Sequence, residues 1–332
     1  MKTQHILSIL FAILFLSSCF DEDERVAPHE PGDELTVELP ASIYDTMQYF
    51  DCGSNHVVQA FGNKEWNLGF ETAKKGWQIL LNSAPNYYIR HTGVSDFDAV
   101  TSIPDGFEWI YDKPNGDRDS TAIDSWVSFS ETDTSYTNEV MLMGNFNGFS
   151  YSVIKKFVFT YVDEERYEFR FANLDGSEDV NFIIEKDTTV QHIYFSIADG
   201  GSIVPQPAKT DWDLIFCQYS TTLFDDDGTP TPYSVRGVLL NSFAVKAAID
   251  STMTFDEITV DDIVDLDYSN QLDIIGHEWK VFTGDVKGDY VVDPSINYFI
   301  QDFAGFYYKL RFINYYNSAG QKGYPVFEYQ QL

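Results

Sequence analysis

The stretch DKPNGDRDS, residues 112–120, sets four oxygen donors close together: Asp112, Asn115, Asp117 and Asp119. Hard cations such as calcium take carboxylate and amide oxygens, so these four are the calcium candidates of the chain. Their spacing is not that of an EF-hand loop, and a solvated acidic turn accounts for them more simply. FDDDG, residues 224–228, has the same two readings. No Ser-centred nucleophile elbow, HExxH, P-loop or dinucleotide fingerprint occurs. With 52 acidic residues, chance alone supplies many carboxylate pairs, so none can be singled out as an acid–base couple. Nothing points positively to catalysis, and the expectation is a protein that is not an enzyme.

Of the three cysteines, Cys19 stands apart. MKTQHILSILFAILFLSSCF opens with a basic Lys2, runs apolar from Ile6 to Leu16, and ends Leu16-Ser17-Ser18-Cys19. The run is short for a permanent membrane helix and has the shape of a cleaved export signal. Small residues just before a Cys resemble the bacterial lipoprotein signal, which implies residues 1–18 removed and a covalent lipid on Cys19. Two or more acyl chains, at about 0.8 kcal/mol per buried methylene, anchor stably. The acidic cluster FDEDE, residues 20–24, resembles the surface-export signal of Bacteroidetes lipoproteins. Residues 19–39, rich in acids and with two prolines, read as a flexible tether. The expected location is the outer membrane, lipid-anchored and facing outward. Cys52 and Cys217 form no CxxC pair; buried free thiols or one long-range bridge are both open. A net charge of −31 repels nucleic acid and excludes it as a partner.

The elements behind these residues show a repeat. NKEWNLGF (63–70) returns as KTDWDLIF (209–216). Around it, QYFDCGSNHVVQAF (48–61) answers IYFSIADGGSIVPQP (193–207), GWQILLNS (76–83) answers GVLLNS (237–242), and FDAVT (97–101) answers FDEIT (255–259). FEWIYD (107–112) is matched to HEWKVF (277–282), and RYEFRFANLDG (166–176) to YYKLRFINYYNSAG (307–320). Six matches in one order predict two homologous β-rich halves in tandem, 40–190 and 191–332.

Trp212, Leu214 and Phe216 alternate with Asp213 and Ile215, the period of a strand with one apolar face. YKLRF and FVFTYV alternate likewise, and Gly, Asp and Asn clusters supply turns. One short helix is expected within 254–267. The fold class is all-β and sandwich-like, with Trp66 and Trp212 as core anchors.

Laid out in this order, the chain resembles the HmuY family of Bacteroidetes lipoproteins. The carrying residues are WNLGF and WDLIF, the two LLNS elements, residues 96–123, and FYYKLRFINYYNSAGQKGYPVFE (306–328). The resemblance implies an all-β haemophore-type fold and a haem, or another tetrapyrrole, as ligand. Haem iron needs an axial donor, and the family's binders use His or Met. The candidates here are His192 and Met47, each two residues before a repeat's opening Tyr, with His277, which matches Phe107, and His91. No residue aligns to a known ligand of the family. The function read here is non-catalytic ligand binding at the cell surface. The alternatives are a glycan-binding or adhesin module, for which 21 Tyr and six Trp are available, and a structural partner of an outer-membrane transporter.

Overall fold

The computed structural model describes residues 31–284 and 289–332. The signal-like segment, Cys19 and the start of the tether lie outside the described residues. In chain order the first run of strands is β1 (Leu35–Glu38), β2 (Thr46–Asp51), β3 (His56–Gly62), β4 (Leu68–Glu71), β5 (Ile79–Leu81), β6 (Tyr87–His91), β7 (Trp109–Ile110), β8 (Val127–Phe129), β9 (Thr134–Tyr136), β10 (Met141–Phe146), β11 (Tyr151–Val162) and β12 (Arg166–Ala172). The second run is β13 (Val180–Glu185), β14 (His192–Ser196), β15 (Ser202–Val204), β16 (Leu214–Phe224), β17 (Pro230–Leu240), β18 (Lys246–Asp250), β19 (Lys280–Phe282), β20 (Tyr290–Val292), β21 (Asn297–Gln301), β22 (Tyr307–Tyr316) and β23 (Lys322–Gln331). The all-β expectation holds. The short helix is a single turn, Val260–Ile263, where the Asp262 carboxylate accepts from the Thr259 amide and hydroxyl.

Alternation does the building. In β23 the residues Phe327 and Tyr329 are buried while Val326, Glu328 and Gln330 are only partly covered, so one face meets a core. Among the described residues four larger antiparallel sheets and two two-stranded ones, β8-β9 and β19-β20, result. The first outer sheet runs β13-β12-β11-β10-β6-β7 and the first inner sheet β15-β14-β4-β5. The second inner sheet runs β17-β16-β2-β3 and the second outer sheet β1-β23-β22-β21-β18. One core, with Leu68, Phe70, Phe159 and Phe195, fills the first outer–inner pair. A second core, with Phe50, Leu214, Phe216 and Phe327, fills the other pair. A third, with Tyr49, Trp66, Tyr194 and Trp212, joins the two inner sheets back to back. Trp66 and Trp212 are each 5% exposed, but they anchor this junction rather than the centre of either sandwich.

Strand pairing crosses the expected division. From the first run, β2 pairs with β16; from the second, β14 pairs with β4. At the chain's far ends β1 pairs with β23. The packed units are therefore not 40–190 and 191–332: one sandwich takes β4 to β15, the other takes β1 to β3 with β16 to β23. The reason lies in the repeat. Strands of the same pattern offer the same apolar face, so the ladder can close on either copy. The register is the same at both sites: Phe50 faces Leu214 and Tyr49 faces Ile215, while Phe195 faces Leu68 and Tyr194 faces Gly69. Buried polar groups follow suit. The Asn82 amide donates to Trp66 O at 2.9 Å, and the Asn241 amide to Trp212 O at 2.7 Å.

Two of the sequence matches shift. In the outer sheets β22 holds the third place, as β11 does, so 307–316 corresponds to 151–162 and not to 166–176. Trp279, leading into β19, is fully buried like Trp126 ahead of β8, so HEWKVF corresponds to residues around Trp126 and not to FEWIYD. Cys52 and Cys217 are free and buried.

Candidate functional site

The four calcium candidates do not converge. Asp112 is buried and both its oxygens are engaged, accepting from the Leu81 amide at 2.7 Å and the Ala122 amide at 2.7 Å. Burial pushes its carboxyl up to about 7. Asn115 accepts from the Asp117 amide at 3.1 Å, closing a local turn, and Asp119 belongs to the short 3-10 turn Arg118–Ser120. Among the described residues no three His, Cys, Asp or Glu side chains are grouped to hold a metal ion.

The haem-ligand candidates separate into three settings. His91 has both ring nitrogens engaged: Nδ1 lies 2.9 Å from Glu139 Oε2 and Nε2 lies 3.1 Å from Ala122 O. Which nitrogen carries the proton depends on the tautomer, but the ring is held between these two oxygens and lines none of the grooves described below.

His192 and Met47 are brought together. Both line a cavity of about 140 Å³ between the inner sheets, beside Trp66, Trp212 and Cys217. Burial lowers the His192 imidazole to about 4, and burial raises the Cys217 thiol to about 12, so both are neutral. The indole Nε1 of Trp66 and the hydroxyl of Tyr219, also on the cavity wall, have no partner there. Pockets for drug-sized ligands span roughly 300–1,000 Å³, so this space does not fit a tetrapyrrole.

His277 is differently placed. It lines a groove of about 540 Å³ walled by Tyr233, Phe282 and Tyr290, where β17 passes the β19–β20 hairpin. Burial first, and then the nearby Lys280, lower its imidazole. A neutral ring has one lone pair to offer. No hydrogen bond engages that ring among the described residues, and Tyr219 stands edge-on to it at 6.5 Å. Two cations share the groove. Lys280, brought down to about 7 by burial, donates to the backbone carbonyl of Arg236, and Arg236 lies 4.2 Å over the Tyr44 ring with its Nε unpartnered. Size, flat aromatic walls, a free imidazole and the Arg236 guanidinium together fit a tetrapyrrole. Of these residues only His277 was singled out by sequence; Tyr233, Arg236 and Lys280 sit in ordinary strand patterns that carry no signal of a groove.

A third space, of about 810 Å³, opens beside the β8–β9 hairpin. Trp77, Phe129, Tyr136 and Tyr161 line it, and none of its lining residues is His, Met or Cys. Sequence reading passed over Trp77, because GWQILLNS was read only as a scaffold phrase.

The described residues thus form two aromatic-lined grooves on an all-β scaffold. The family is plain from comparison: the profile of the HmuY protein family matches residues 43–329, and the chain belongs to that family. No curated protein matches it. Among solved structures it is similar to an apo HmuY analog from Tannerella forsythia, with 10% identity over 91% of this chain and 97% of that one, at a TM-score of 0.26. It is also similar to apo PinO from Porphyromonas gingivitis, with 9% identity over 92% of this chain and 98% of that one, at a TM-score of 0.26. A candidate HmuY-like heme-binding protein from Bacteroides vulgatus shares 12% identity over 89% of this chain and 90% of that one, at a TM-score of 0.23.

Proposed function

We propose that this HmuY-family protein is a non-catalytic, surface-exposed lipoprotein that takes haem or a related tetrapyrrole in the groove beside His277. The observation that carries the reading is a neutral, partly buried imidazole with no hydrogen bond, facing an aromatic groove of about 540 Å³. His277 would supply an axial nitrogen, Tyr233 and Tyr290 the flat walls, and Arg236 the charge that meets carboxylates. When bound, the group would supply iron as the coordinating centre. Haemin titration of the purified protein should give a Soret shift, and His277→Ala should weaken it by at least about tenfold, some 1.4 kcal/mol. A wild-type protein that leaves micromolar haemin unshifted overturns the reading.

The anchor is part of the same proposal. It rests on Leu16-Ser17-Ser18-Cys19 and the acids that follow. Cys19→Ala should release the protein from membranes; retention after a salt wash would count against lipidation. We also propose that the two runs of strands descend from one unit, on the strength of the shared register. A superposition that fails to match them strand for strand would remove that reading.

A further inference from the structure

The groove beside Trp77 holds no imidazole, thioether or thiol. Its chemistry is of another kind. Phe129 is 53% exposed on the β8–β9 hairpin, although a phenylalanine on an exposed edge costs solubility and adds nothing to the sandwich core. It stands 6.5 Å from Trp77, tilted by 49°, so the two rings form an open angle. Trp77 is only half-buried, and the Arg118 guanidinium lies 5.8 Å from its centroid. Tyr136 and Tyr161 continue the aromatic wall at 6.1 Å from one another.

Polar groups ring these faces. Lys74, Lys75 and Glu131 line the groove, and their side chains have no hydrogen bond or ion pair among the described residues. Asp133, Asp163 and Glu164 add further carboxylates. A flat hydrophobic ligand would strand these charges. A polyanion would meet four carboxylates against two lysines, on a chain of net charge −31. A ligand with an apolar C–H face and a rim of hydroxyls satisfies both parts: the ring face lies on an aromatic, and hydroxyls both donate to carboxylates and accept from ammonium groups.

We infer that the groove lined by Trp77, Phe129, Tyr136 and Tyr161 is a second binding site, separate from the His277 groove, and that it takes a neutral carbohydrate. At about 810 Å³ it has room for more than one sugar ring. The site holds whether or not haem binds at the other groove, since the two share no lining residue.

The test is an array of neutral oligosaccharides probed with the purified full chain, with the best binders followed by tryptophan fluorescence. Trp77→Ala and Phe129→Ser should each weaken binding by about tenfold or more, and His277→Ala should leave it unchanged. Phe129→Ser keeps the test valid should Trp77→Ala disturb folding, because an exposed side chain carries little of the core. An array with no neutral glycan bound overturns the inference. So does glycan binding that survives Phe129→Ser in folded protein, or that falls with His277→Ala.

Discussion

The two sandwiches are built on nearly the same strand plan yet present different walls at the same corner. Each has a buried tryptophan, Trp126 at 1% exposure and Trp279 at 0%, leading into a short hairpin that borders a groove. Beside Trp279 the chain places His277 and Lys280; at the same spacings around Trp126 it places Asp124 and Val127. One groove thereby gains an imidazole, and the other has aromatic walls rimmed by acids and two lysines with no imidazole. The cores repeat because packing tolerates few shapes. The rims diverge because a side chain facing solvent is free to change.

The deepest test of this comparison removes the shared anchors. Trp126→Ala and Trp279→Ala should each cost about 3–5 kcal/mol in urea unfolding. Because strands cross between the runs, each variant should still unfold in one transition. Two separate transitions would show that the sandwiches are independent and would break the comparison. A smaller effect belongs to two matched buried lysines. Lys156 Nζ donates to Phe97 O and Val100 O, both at 2.9 Å; Lys309 Nζ donates to Phe255 O at 2.7 Å and Ile258 O at 3.4 Å. Lys156→Met and Lys309→Met should each lose about 1.5–3 kcal/mol, Lys156 the more because its second bond is shorter. Equal losses in thermal unfolding would say that bond length at this place does not matter.

The smallest effect concerns a pair that differs by one atom type. Asn67 Oδ1 accepts from the Ile197 amide at 2.8 Å, and in the other sandwich Asp213 Oδ2 accepts from the Cys52 amide at 2.8 Å. Burial raises Asp213 to about 7, against about 3.9 for a free aspartate. The folded state then holds the proton more tightly than the unfolded one. Its stabilising contribution is whole below pH ~4 and is lost as pH rises through about 7. Asp213→Asn, which copies Asn67, should raise the melting temperature at pH 8 and leave it little changed at pH 4 or below. It should flatten only part of the pH slope, since Asp112 is raised to about 7 as well. An unchanged slope would show that Asp213 is ionised in the fold.

Much of the scaffold was legible because alternation is a local signal. Leu68 with Phe70 and Leu214 with Phe216 announced one apolar face on each of two strands that lie in the sheets, whereas Trp66 and Trp212 precede those strands and pack into the junction core instead. The strands' partners were not legible. Nothing in the pattern of β2 distinguishes β4 from β16, because both carry the same phrase. The same ambiguity misplaced YYKLRF, whose aromatic alternation suits β11 and β12 alike. At the site, the kinship of Met47 and His192 could be read from equal spacing to Tyr49 and Tyr194, and both reach one cavity. The size of that cavity could not be read. Nor could the grooves, since His277 and Trp77 acquire their surroundings only when hairpins distant in sequence fold over them. The calcium candidates failed for a related reason. Asp112 is spent on two backbone amides that sequence proximity does not reveal.

The pairing of β1 with β23 has a consequence for how the molecule comes into being. Leu35 sits opposite Tyr329, so the first strand has no ladder to join until the last has been made. The second inner sheet likewise waits, with β2 and β3 in hand, for β16 and β17. Contacts so remote in sequence slow folding and leave strand edges bare meanwhile. The same delay exposes apolar β2, with its Tyr49 and Phe50, to other copies of the chain. Folding yield should therefore fall with concentration more steeply than native stability alone suggests.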